Sequence, residues 1–263
     1  MATLHIKLDP NSVAASVVRA AIITSDVVAA ALTALQEGEL TKPDMPNQFI
    51  RHQIHGPQMT SDQRRETYQN WLLAKGFQDL ARGVRESLEE AALYLALITK
   101  PPKQVSTSSS LGDLLETMRK PATRLSFPIL LDRVNAGLTS PLEFVQEFLS
   151  IQTVRNSLEH RNGIVGKQDL DDGGSMLTLT FPRWKFFYMR GEEEIEIAPG
   201  EPVDAQNGQP LVDILGRLTT RSKSYALGER ITFTPEEFSE IAMACGRFGF
   251  ELAHKLPALS APK

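Results

Sequence analysis

The segment 140–163 constrains the fold of this chain more than any other, because it contains a helix start, a long uninterrupted run and a helix stop. It opens with Ser-Pro-Leu-Glu, in which Ser can cap free backbone N–H groups, Pro suits the first helical position and Glu completes a capping box. Residues 142–161 contain no Gly or Pro, and Asn162-Gly163 can form the left-handed turn that ends many helices. The sequence therefore predicts a helix over residues 140–162.

Polar residues replace apolar ones toward the end of this helix, where residues 155–163 read R-N-S-L-E-H-R-N-G. At about 100° per residue, Asn156 and His160 share a face and lie within roughly 40° of each other. Arg155 lies about 140° from His160, so its long side chain would have to reach around the helix. A purely structural interpretation stays open, because cations complement the dipole at a helix C-terminus and Arg can lie along an apolar surface.

This run resembles the motif of the HEPN superfamily (higher eukaryotes and prokaryotes nucleotide-binding domains). In that family an Arg, a polar residue, a few variable residues and a His lie near the end of a core helix. Arg155, Asn156 and His160 match the pattern, and the apolar pair that follows Gly163 is also similar to family members. The resemblance covers roughly residues 61–165, mostly as a pattern of helices, and only the motif is specific.

The resemblance implies a helical bundle that pairs with a second copy, so that two motifs meet in a shared cleft. Catalytic members are ribonucleases that use no metal or cofactor. By that analogy His160 transfers a proton of the ribose 2′-hydroxyl or of the leaving oxygen, and Arg155 holds the scissile phosphate. Asn156 would orient His160 or the phosphate, and Arg161 would contact the substrate. Attack by the 2′-hydroxyl would leave a cyclic phosphate.

Three functions follow from this sequence, and they differ in what the motif does. In the first, the protein is a HEPN-like endoribonuclease of the toxin or defence type that acts on RNA as a homodimer and is paired with an antitoxin or another protein. In the second, it is a non-catalytic HEPN-like binding or assembly protein, in which the same residues hold the dimer together. In the third, it is a helical protein unrelated to the family.

The composition is that of a globular protein, with 263 residues of which 41% are hydrophobic and 23% charged. The single Cys245 excludes an intramolecular disulfide and is interpreted as a small buried thiol rather than a nucleophile. Residues 12–36 are apolar but are interrupted by Arg19 and Asp26, so we expect buried helices there rather than a membrane span. These observations predict a cytoplasmic protein without a membrane partner.

The net charge of −4 argues against bulk nucleic-acid binding but leaves room for a local basic cleft. Two groups of cations close in sequence are interpreted as solvated faces: Arg183, Lys185 and Arg190, and Arg217, Arg221, Lys223 and Arg230. Tyr68 and Trp71 are interpreted as core residues in preference to base-stacking platforms. His52 and His55 have too few neighbouring ligands for a metal site, and no glycine-rich nucleotide loop is present.

The fold class that the whole pattern predicts is mainly α: a HEPN-like helical bundle with a small antiparallel β appendage and a C-terminal helix. Residues 1–165 form the bundle, with the HEPN-like core at about 61–165, and residues 166–263 form the appendage and a helix that packs back. Predicted helices cover residues 61–99 with an interruption at Gly76, 111–119, 124–136 and, from a capping box at Thr234, the stretch to Leu256. Predicted strands cover residues 176–181, 184–189, 193–197 and 230–233.

Overall fold

The computed structural model describes residues 8–40, 58–99, 111–171, 174–197, 203 and 213–258. The helices in these ranges are α1 (Ala15–Gln36), α2 (Ser61–Thr99), α3 (Leu111–Thr123), α4 (Phe127–Asn135), α5 (Val145–Arg161) and α6 (Pro235–Lys255). The strands are β1 (Met176–Arg190), β2 (Glu193–Glu196) and β3 (Leu215–Ala226). The prediction of a mainly helical chain with a small antiparallel sheet and a C-terminal helix is confirmed. His52 and His55 lie outside the described residues.

Helix α2 is the centre of the structure and packs against all the other described helices. Its predicted bounds are confirmed, but the expected interruption at Gly76 is wrong because the helix is continuous. A Cβ at Gly76 would lie 2.8 Å from Cζ of Phe238, so glycine is needed there for the close approach of α6. The capping box is formed by Thr60 and Gln63, whose side chains each accept a backbone N–H of the other.

Helix α5 begins at Val145, so the predicted start at Ser140 is wrong. The backbone N–H groups of Leu142 and Glu143 instead donate to side chains of α4 and α6, Asn135 and Glu251. The segment before α5 is therefore a connection tied to two neighbouring helices.

The predicted helix stop is confirmed. Asn162 and Gly163 have φ values of 55° and 78°, and both of their N–H groups donate to the carbonyl of Ser157. The motif residues thus lie in the last turns of α5, as expected.

The three strands form an antiparallel sheet in the order β2-β1-β3. β1 is one strand of 15 residues rather than the two predicted. Pro182 lies inside it without breaking it, because β2 pairs with Phe187–Arg190 and no described strand pairs with the same edge beside Pro182. β3 was not predicted, and the predicted strand 230–233 is wrong: it makes only an isolated bridge between Arg230 and Ile164.

One hydrophobic core joins the helices to the sheet. Phe77 of α2 stacks on Phe233 at 4.6 Å between ring centroids, and Phe181 of β1 packs against both rings at an angle. The face of α6 that carries Phe238, Ile241, Cys245, Phe248 and Leu252 is buried, and α6 packs against α1, α2 and β1. The division into two domains at residue 165 stays a prediction, and this core contains residues from both sides of it.

Helix α1 buries only one side. Val17, Ala21 and Val28 face the core, whereas Ile22 and Val27 are exposed. Within the described ranges, one helical stretch, Pro10–Gln36, has the length and composition to cross a membrane. The cytoplasmic location stays a prediction.

Candidate functional site

The Arg155 guanidinium is held by its own helix. Its NH2 atom lies 2.8 Å from Oε2 of Glu159, one turn further along α5, and both side chains are about three-quarters buried. An ion pair at this spacing stabilises a helix by a few tenths of a kcal/mol, so the pair is weak enough to be exchanged for a ligand. Arg155 is therefore positioned by Glu159 without being sequestered.

Asn156 and His160 are both exposed, and the helix places them on a shared face as the spacing predicted. The Asn156 side-chain oxygen accepts a hydrogen bond of 2.9 Å from Gln152 Nε2. The imidazole of His160 has no hydrogen-bond or ion-pair partner among the described residues. It is thus the motif side chain that is most available for an incoming ligand.

Arg161 is part of the turn that follows α5. Its NH2 atom donates to Oδ1 of Asp169 at 2.6 Å, and the other oxygen of Asp169 accepts the N–H of Gly166 at 2.8 Å. The carboxylate of Asp169 is almost fully buried, so this pair fastens the loop against the helix end. The contact gives Arg161 a structural role, and its predicted contact with a substrate stays a prediction.

Within one chain, the motif side chains do not converge on a common point. Arg155, Asn156 and Arg161 each bind a neighbour in the same helix or in the next turn, and His160 faces outward. General acid–base cleavage of a phosphodiester needs groups on both sides of the phosphorus atom. The motif side chains of a single chain therefore do not form a complete site of this kind.

The opposite face of α5 borders a groove that the sequence did not reveal. This α2–α5 groove has a volume of about 390 Å³ and is lined by polar, cationic and aromatic side chains that include Asn70, Trp71, Lys75, Gln78, Asn162 and Arg230. The interpretation of Trp71 as a core residue is wrong, because its side chain is 60% exposed. Trp71 lies beside two cations, Lys75 and Arg230. The sequence does not show this, because Arg230 is far from Trp71 along the chain.

The two groups of cations on the sheet are mostly neutralised by carboxylates. Lys185 and Arg217 bind Glu194, and Lys223 and Arg221 bind Glu237. The hydrogen bond from Lys185 lowers the pKa of Glu194, although desolvation opposes the shift. The sheet therefore offers little free positive charge to a nucleic acid.

Other chemistries find no support in the described part of the chain. No group of three or more His, Cys, Asp or Glu side chains there is arranged to hold a metal ion. Burial raises the pKa of the Cys245 thiol to about 12, so this thiol is protonated at neutral pH and packs as a small apolar group.

No protein-family model, curated protein or solved structure matches this chain. The resemblance to HEPN proteins consequently depends on Arg155, Asn156 and His160 and on their position at the end of α5. Functional assignment has to be argued from the exposed imidazole, its neighbours and the two faces of this helix.

Proposed function

We propose that this protein is a HEPN-like, metal-independent endoribonuclease of the toxin or defence type that acts as a homodimer. The observation that carries the proposal is the imidazole of His160, which is exposed at the end of α5 and has no partner among the residues that the structure describes. Arg155 lies in the same two turns with only one helix-surface ion pair to exchange. Imidazole transfers protons at neutral pH, and guanidinium binds a phosphate with two donors at once.

The reaction uses one imidazole from each copy. One His160 removes the proton of the ribose 2′-hydroxyl as the 2′-oxygen attacks phosphorus, and the other gives a proton to the departing 5′-oxygen. Arg155 donates hydrogen bonds to the phosphate oxygens as negative charge accumulates on them. Glu159 keeps the Arg155 side chain extended along the helix until the phosphate replaces it. The products are a 2′,3′-cyclic phosphate and a free 5′-hydroxyl.

The test is RNA cleavage by the wild type and by His160→Ala, with His254→Ala as the matched control. His254 is also an exposed histidine near the end of a helix, in α6. Loss of a general acid–base group lowers the rate by about 100-fold or more, so His160→Ala should lose activity while His254→Ala keeps it. Equal cleavage by all three proteins would remove the enzyme proposal.

The satisfied contacts of the motif favour a second candidate, a non-catalytic HEPN-like binding or assembly protein. Arg155, Asn156 and Arg161 each have a partner inside the chain, as expected of residues that shape a surface. In this case Arg155→Ala should weaken self-association in light scattering, and the wild type should cleave no RNA. A dimer unaffected by the substitution, together with cleavage that needs His160, would decide for the nuclease.

A further inference from the structure

The α2–α5 groove combines three features that together describe a ligand. It is lined by the side-chain amide of Gln78, by two cations with no carboxylate among the described lining residues, and by an exposed indole at its edge. We propose that this groove binds a nucleotide unit, that is, a planar base carrying a phosphate. The site is separate from His160, and the inference does not depend on the proposed nuclease activity.

Gln78 lies in the wall of the groove and is only 8% exposed. Its Oε1 atom accepts a hydrogen bond of 3.0 Å from Lys75 Nζ, whereas its Nε2 amino group has no partner among the described residues. The Nε2 amino group can therefore donate a hydrogen bond to an acceptor oxygen or nitrogen in the groove, such as that of a base edge or a phosphate.

Lys75 and Arg230 face the groove from two different parts of the chain. Lys75 makes no ion pair with any described residue. Arg230 uses NH1 for the carbonyl of Asn162 at 2.6 Å, and the rest of its guanidinium also has no partner in that part of the chain. No Asp or Glu belongs to the described lining of the groove. Charge-assisted hydrogen bonds to an anion are about twice as strong as neutral ones, so this arrangement selects a phosphate or a similar anion.

Trp71 is the third feature of the site, and its side chain is 60% exposed. A site for a simple anion would need no aromatic group. An indole at the edge of a cationic groove provides a flat surface on which a base can stack. The volume of about 390 Å³ lies in the range of small-molecule sites and suits a single nucleotide better than a long stretch of chain.

The groove and the motif lie on different sides of α5. Leu158 and Asn162 line the groove, whereas Asn156 and His160 are about 120–160° away around the helix axis. A nucleotide in the groove is therefore not the phosphate that His160 would attack. Its place beside the helix that carries the motif makes it a second contact for an RNA strand or a separate site for a free nucleotide.

Fluorescence of Trp71 provides a direct measurement. The chain contains two tryptophans, so Trp184→Phe leaves Trp71 as the only one. Adenosine monophosphate, inorganic phosphate and a short single-stranded oligonucleotide are titrated in turn into this variant. Saturable quenching by the mononucleotide or by the oligonucleotide is expected, because a stacked base quenches the indole. Quenching by the mononucleotide indicates a free nucleotide as the ligand, and quenching by the oligonucleotide alone indicates an RNA strand.

Two substitutions test the residues that make the site. Lys75→Gln and Arg230→Gln should each weaken binding roughly tenfold, because each removes a charge-assisted contact. Arg19→Gln is the matched control, because this substitution removes the same charge. Arg19 is exposed and does not line the groove. His160→Ala should leave quenching by the mononucleotide unchanged, because a single nucleotide in the groove does not reach His160, and this separates the inference from the nuclease proposal.

The inference would be overturned by an absence of saturable quenching with either nucleotide probe. It would also be overturned if inorganic phosphate competed as well as the nucleotide, because the base would then contribute nothing. Equal weakening by Arg19→Gln and Lys75→Gln would show a general charge effect rather than a site. Lys75 is exposed, so the test does not depend on whether the Arg230 variant keeps its fold.

Discussion

The sheet and the α2–α5 groove both present cations, and they use them in opposite ways. On the sheet, Lys185, Arg217 and Lys223 each bind a Glu at 2.6–2.8 Å. In the groove, the partners of Lys75 and Arg230 within the described part of the chain are an amide oxygen and a backbone carbonyl. The sheet contains more positive residues, yet the groove has more free positive charge.

This difference shows that a basic run in a sequence is informative only together with the carboxylates that the fold brings to it. Arg221 and Lys223 of β3 meet Glu237 of α6, which is more than ten residues further along the chain. Paired cations of this kind stabilise the fold, whereas unpaired cations around a concave surface attract an anion.

The largest effect is expected from removing Glu237. This carboxylate is 8% exposed and accepts from the backbone of Thr234, from Lys223 and from Arg221. Glu237→Ala would leave the half-buried Lys223 without its carboxylate partner and would remove half of a capping box. We therefore expect the free energy of unfolding to fall by about 3 kcal/mol. Urea denaturation measures this loss.

Glu236→Ala is the control for that substitution, because Glu236 is exposed in the same turn of α6. It should cost about 0.5 kcal/mol or less. Similar losses in both variants would show that the sheet cations do not depend on their carboxylates, and the comparison with the groove would fail.

The acid side of the stability curve gives the second test. Burial disfavours the charged form of Glu237, but hydrogen bonds from Lys223 and Thr234 outweigh it and hold the pKa below 4.5. A lowered pKa in the folded state means that this carboxylate adds stability above about pH 4.5, and that the contribution is lost as the pH falls through the folded value. The difference in stability between wild type and Glu237→Gln should therefore shrink between pH 6 and pH 3. A constant difference would contradict it.

The sequence predicted those elements whose signals are local. Helix α6 has a capping box and an apolar face, and both were visible in order along the chain. Strand β3 was missed because only Tyr225 in it is buried, so that Thr, Ser, Lys and Arg hide the alternation that marks a strand. The start of α5 was misplaced because the N–H groups that Ser140 was expected to cap are satisfied by distant side chains.

The same distinction between local signals and contacts between distant residues applies to the candidate site. Asn156 and His160 share a face because helix geometry alone places them, and this could be calculated from the sequence. The groove brings Trp71 and Lys75 from α2 together with Arg230, more than 150 residues away, and only tertiary packing makes that meeting. No spacing rule connects residues so far apart.

The smallest effect on stability is expected for Lys75→Gln. A small effect would show that the fold does not need this charge. Lys75 is exposed and makes one hydrogen bond, so the substitution should change the free energy of unfolding by less than about 0.5 kcal/mol. Lys223→Gln, which removes the same charge from the sheet, should cost about 1–2 kcal/mol because Glu237 loses a partner while largely buried. Urea denaturation of the two variants side by side gives both values. If Lys75 proved as important for folding as Lys223, its charge would belong to the scaffold, and the groove would have no free cation at that position for a ligand.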